Sequence, residues 1–253
     1  MERRLNGKTI FLSASIPRHV PEKDPKYVKI DSDAAPKIEQ AIVSLARTVF
    51  FEGGQLVFGG HPTIAPLVAL VAAEYSSPTL SAEDSDWKPI IIYQSRVYEN
   101  ELPDETWRLF RLGYAEIRWT EEQNDNELVA GFKHKHANSL THLRTRLINE
   151  TKPDAIVCIG GMEGVEHELT LFSTQRINFK KYVLGSTGGA AFIISKNPTP
   201  FLSTNDELPI TFIDQEIQEK ISPVNDPETP KYFKNAYVPF PLIMQELVKD
   251  LLR

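Results

Sequence analysis

Leu56-Val57-Phe58-Gly59-Gly60-His61-Pro62-Thr63-Ile64 and Ile156-Val157-Cys158-Ile159-Gly160-Gly161-Met162-Glu163-Gly164-Val165-Glu166-His167-Glu168 decide the fold of this chain. In each, a short β-branched or aromatic run enters paired glycines and then a segment with helical spacing, the pattern of a parallel strand turning into a helix. Both turns therefore belong on one edge of one sheet. Glycine admits close approach of a ligand to the backbone, and the opening N–H groups of the next helix carry the positive end of its dipole. One such turn alone reads better as a plain tight connection. Two, the second followed by an acidic helix start, favour a nucleotide-type site.

Outward from these turns, strands and helices alternate. Strands are predicted over 8–16, 55–59, 89–94, 115–119, 154–159 and 181–184, and helices over 34–51, 63–75, 104–112, 126–151, 165–174 and 189–195. Ser32 and Asp33 are cap candidates for the first helix and Thr63 for the second. Such alternation predicts an α/β fold, a Rossmann-like, doubly wound, mostly parallel sheet with helices on both faces. After residue 195 the prolines at 198, 200, 209, 223, 227 and 230 break the rhythm, so short helices wrapping the sheet are expected, closed by a helix over 240–252. One domain is expected, with its core over about 8–195 and a wrapping segment over 196–253.

Composition narrows the function classes. The 253 residues are 41% hydrophobic and 25% charged, as in ordinary globular chains, and the formal charge is −6. An acidic balance without a basic stripe argues against a sequence-independent nucleic-acid binder. No apolar run reaches 18 residues and the first residues lack a signal-peptide pattern, so a soluble, cytoplasmic protein with no membrane partner is expected. Cys158, the single cysteine, lies in an apolar run and reads as a small buried hydrophobe rather than a nucleophile.

The candidate site gathers what the sheet brings to that edge. Gly59, Gly60, His61 and Thr63 come from the first turn, and Gly160, Gly161, Glu163, Gly164 and Glu168 from the second. Gly185-Ser186-Thr187-Gly188-Gly189 offers a third cradle, with Ser186, Thr187 and Gly188 as its contacts. Ser13 and Ser15 end the first strand, and Arg96 follows the third. Arg144 shares a helix face with Leu140 and Leu147, so it lies beside the buried stripe, where it either meets a phosphate or pairs with an acidic residue. Arg18 and Lys23 lie on a proline-rich loop over 17–30 that is long enough to fold over the edge. His134, His136 and His142 lack the spacing and companions of a metal set, so no metal is expected.

"LVFGGHPTIAPLV", "IGGMEGVEHE" and "VLGSTGGAA" together resemble the SLOG superfamily. That superfamily groups the LONELY GUY phosphoribohydrolases, the DprA/Smf proteins and the nucleotide-sensing domains associated with Sir2, TIR and TRPM proteins. The resemblance runs over about residues 8–194 and is nearest to the sensing domains of Sir2/TIR defence proteins. It implies a Rossmannoid sheet that binds a nucleotide-derived signal at the strand ends, with no cofactor required, an ADP-ribose-like or cyclic nucleotide as ligand, and a homo-oligomer or effector protein as partner in defence signalling. The hydrolase branch reads Pro-Gly-Gly-x-Gly-Thr-x-Glu-Glu. Here Ile159 stands for the proline, Val165 for the threonine and His167 for the first glutamate, while Glu168 keeps the second; Arg144 matches the branch's arginine and Thr145 replaces its lysine. The first reading is thus a ligand sensor. The alternative is an N-glycosidase or phosphoribohydrolase in which Glu168 or Glu166 stabilises the oxocarbenium-like centre, and a DprA-like nucleic-acid module is third.

Overall fold

The structure is a computed structural model that describes residues 3–16, 27, 34–75, 88–125, 134–221 and 238–253. Seven strands form one all-parallel sheet: β1 (Thr9–Ser15), β2 (Gln55–Gly59), β3 (Ile90–Ser95), β4 (Ala115–Thr120), β5 (Ala155–Gly160), β6 (Lys180–Leu184) and β7 (Ile210–Thr211). Their order is β4-β3-β2-β1-β5-β6-β7. The chain runs outward from β1 in one direction to β4 and then returns to β5 on the other side of β1. The order therefore reverses between β1 and β5, and their carboxyl ends diverge into a crevice there. Ser15 pairs with Gly160 at that point, which puts the second glycine turn beside the end of β1.

Alternate residues of each strand feed two cores. Ile10, Leu12, Leu56, Phe58, Ile90, Ile92, Val157 and Leu184 face α1 (Ala34–Phe51), α2 (Ala65–Tyr75), α3 (Asp104–Arg111) and two later helices, α7 (Ile213–Ile221) and α8 (Phe240–Leu251). Phe11, Val57, Ile91, Tyr93, Ile156, Cys158 and Val183 face α4 (Ala137–Thr151), α5 (Glu163–Gln175) and α6 (Gly189–Lys196). Burial on both faces explains why the central strands read as unbroken apolar runs instead of alternating ones. The Rossmann-like α/β expectation holds in this two-faced parallel sheet.

Three details depart from the sequence reading. The helix expected over 126–151 starts at Ala137 among the described residues, with 134–136 non-helical. Asp125 explains the start: its carboxylate accepts the N–H groups of Asn138 at 2.8 Å and Ser139 at 3.1 Å, satisfying donors that a helix leaves open. Thr63 does not cap α2. Its hydroxyl accepts Ile16 N–H at 3.3 Å and lies 2.8 Å from His61 Nδ1, tying the first turn to the end of β1. The proline-rich tail contributes the two-residue strand β7, paired with β6, besides wrapping helices. Ser32, Asp33, the loop with Arg18 and Lys23, the acidic stretch 76–87 and residues 126–133 lie outside the described residues.

Candidate functional site

The second and third glycine turns are stitched to each other and to the end of β1. Gly160 N–H donates to Thr187 Oγ1 at 2.8 Å, and that hydroxyl donates to Leu184 O at 2.6 Å. Gly161 N–H donates to Ser15 O, and Ala190 N–H to Gly161 O, both at 2.9 Å. Gly189 has φ +56°, and a Cβ there would lie 2.3 Å from Gly161 O, so only glycine fits the crossing of the second and third turns. The third turn also holds its own anion: Asp214 accepts Ser186 N–H at 2.7 Å. Thr187, Gly188 and Ser186 thus shape the floor of the crevice, and the N–H groups of Gly160 and Gly161 are spent within it.

Beside them starts α5, whose Val165 N–H donates to Met162 O at 2.9 Å and whose N-cap residue, Met162, makes no side-chain cap. Facing this turn is Arg144 from α4, which is buried. An ideal Cβ on Gly164 would lie 3.0 Å from Arg144 Nη2, so the missing side chain is what lets the guanidinium approach the helix start. Arg144 Nε donates to Glu168 Oε1 at 3.0 Å, Nη1 lies 2.9 Å from His167 Nδ1, and Ser13 Oγ donates to Glu168 Oε2 at 2.5 Å. Ser13, Arg144, His167 and Glu168, from β1, α4 and α5, form one connected network at the crevice. Glu166 is buried and Glu163 half-buried in the same first turn, so an anion there depends on Arg144 to offset their charge.

An arginine is always a donor, so His167 Nδ1 accepts and the imidazole carries its hydrogen on Nε2. Burial, reinforced by the Arg144 charge, pulls the His167 pKa down to about 4. His167 is neutral in the fold at neutral pH, while the unfolded chain binds a proton below about 6.5. Its contribution to stability is therefore complete above about pH 6.5 and lost as pH falls toward 4. We expect this one group to remove about 1 to 2 kcal/mol between those values after allowing for partial exposure. Urea unfolding at pH 7 and pH 4.5 checks it: His167→Gln should shrink the acid-induced loss, and an unchanged loss would contradict the assignment.

The remaining predicted residues lie at or just past the ends of β1, β2 and β3. Ser15 ends β1 beside Gly161. Gly59, Gly60, His61 and Thr63 form the turn above β2, with Gly60 N–H donating to Tyr93 O at 2.8 Å. Arg96 lies apart, on the outer strands: it pairs with Glu99 at 3.1 Å and Glu121 at 3.4 Å and stacks over Trp119. Between the two regions, Tyr98 meets His136 edge to face at 5.3 Å, and the Arg144 charge reaches both Tyr98 and His134. Cys158 is fully buried beneath Ser13 and Glu168, and burial pushes its thiol pKa far up, as suits a core residue and not a nucleophile. No group of three or more His, Cys, Asp or Glu suited to a metal ion occurs among the described residues. Gln94 and Asp214 were not anticipated. A glutamine ending the apolar run Ile90-Ile91-Ile92-Tyr93 was the available signal for the first; nothing local marked the second.

The family model described as the SLOG cluster3 family matches residues 29–208. No curated protein matches the sequence. Among solved structures, the chain is similar to the X-ray structure of TM1055, a Northeast Structural Genomics Consortium target, with 14% identity and a TM-score of 0.45 over 84% of this chain and 99% of that one. Among the described residues no helix is long and apolar enough to cross a membrane.

Proposed function

From the premise that this chain belongs to the SLOG cluster 3 family, which points to a nucleotide-related role, we propose that it binds a nucleotide or NAD-derived nucleotide across the β1/β5 crevice and acts as a sensor. The observation that carries this reading is Arg144 held against the N-terminal turn of α5. A cation at the positive end of a helix is unfavourable unless an anion joins them. Glu168 orients Arg144 through Nε, and a phosphate of the ligand meets the guanidinium fork beside the start of α5. Occupancy is passed to an effector protein or a second copy of the chain, as in the sensing domains of the superfamily.

Sensing is favoured over N-glycoside cleavage by the state of the carboxylate. Both oxygens of Glu168 are already engaged, one by Arg144 and one by Ser13, so it orients the arginine instead of facing a reacting carbon. The neighbouring position, a glutamate in the hydrolase pattern, is the neutral His167. Neutral imidazole gives no charge stabilisation to an oxocarbenium-like centre. Thermal unfolding with AMP, ADP-ribose and cyclic dinucleotides tests the reading. At a hundredfold excess over Kd a true ligand raises Tm by about 5 to 10 °C, and inorganic phosphate does so weakly. Absence of any shift or calorimetric heat across the panel contradicts it. Release of free base from AMP that Glu168→Gln abolishes favours the hydrolase instead.

A further inference from the structure

Resting on that reading, we propose that Gln94 selects the base of the nucleotide, accepting the 6-amino group of an adenine. Gln94 is the penultimate residue of β3, above Ile92 and 4% exposed. Its Nε2 donates to Tyr98 O at 3.4 Å. A carbonyl can only accept, so that contact fixes the amide with its NH2 toward Tyr98 and turns Oε1 toward Gly60. An ideal Cβ on Gly60 would lie 2.0 Å from Oε1. Gly60 is not among the glycines with positive φ, so its backbone does not call for glycine; the bare position makes room for the carboxamide.

A buried amide with one long hydrogen bond at the end of an apolar strand is costly where packing alone would accept leucine or methionine. The chemistry it offers is an oriented acceptor beside the half-buried backbone of the first glycine turn. Tyr98, edge-on to His136, adds a flat aromatic surface within reach of the Arg144 field, suited to a base whose phosphate lies at α5. An adenine presents a 6-amino donor to Oε1. A hypoxanthine or guanine presents a 6-oxo group, and two acceptors then face each other. An amide built to hydrogen-bond one edge rejects the analogue that lacks it.

Calorimetric titration of AMP and IMP into the full chain tests this, AMP being the fragment shared by ADP-ribose and an adenine cyclic dinucleotide. Wild type is expected to bind AMP at least about tenfold more tightly than IMP. Gln94→Met, and independently Gly60→Ala, which displaces the carboxamide, should shrink that ratio below about threefold by weakening AMP alone. Equal affinity of wild type for AMP and IMP overturns the assignment, as does an equal weakening of both nucleotides in the variants, which would mark a packing role. Binding of neither nucleotide to wild type sinks the nucleotide reading itself and this inference with it.

Discussion

Lys181→Ala should cost about 3 to 5 kcal/mol of stability, the largest single-residue loss expected outside the crevice. Lys181 and Asp206 are an ion pair at 2.7 Å with both side chains wholly excluded from solvent. The ammonium also donates to Phe179 O at 2.9 Å and Leu208 O at 3.3 Å. Asp206 Oδ1 in turn accepts the N–H groups of Asn178 at 3.2 Å and Leu208 at 3.3 Å, which pins the segment leading into β7 against β6. Removing the lysine leaves a carboxylate buried without its counter-charge. The double variant Lys181→Met/Asp206→Leu should recover most of the loss, because a buried pair is worth little against an apolar replacement of similar volume. Urea denaturation of the three proteins checks this, and a loss below about 1 kcal/mol in the single variant would show the pair to be solvated.

The same pair explains part of what could be read from sequence. The glycine turns and the apolar runs before them were legible because each rests on local rules: strand propensity, helical period and the bareness of glycine. The bounds of α1 over Ala34–Phe51 and of β2 over Gln55–Gly59 match the expectation for that reason. β7 is two residues long and exists because a buried lysine and aspartate hold distant segments together, which no periodicity reports. The start of α4 depended on Asp125, and the closure of the third turn on Asp214, 28 residues from Ser186. At the site, Arg144 and Glu168 were legible as individual candidates. Their coupling through Ser13 and His167 was not, since it is set by the register of β1 against β5 and by the approach of α4 to Gly164.

Arg144→Ala should have the second large effect, a loss of about 3 kcal/mol in the unliganded protein, because Glu168 and the half-buried acidic turn of α5 lose their cation. The sequence alone left two roles for Arg144, phosphate contact or pairing with an acid. The structure places Glu168 against it without removing the first role, since the guanidinium also faces the helix start across Gly164. Arg144→Lys separates the two. Lysine keeps a positive charge beside Glu168, so the fold should lose only about 1 kcal/mol, but it lacks the planar fork that serves a carboxylate and a phosphate at once.

Titrating ADP-ribose into wild type and Arg144→Lys, with unfolding of both proteins followed in parallel, is the most direct test that the α5 turn and Arg144 together hold a phosphate. Saturable binding to wild type, at least about tenfold weaker binding to the variant and an apo stability lower by only about 1 kcal/mol are expected. Equal affinity of the two proteins for ADP-ribose would contradict the phosphate contact and leave Arg144 as a structural partner of Glu168 alone.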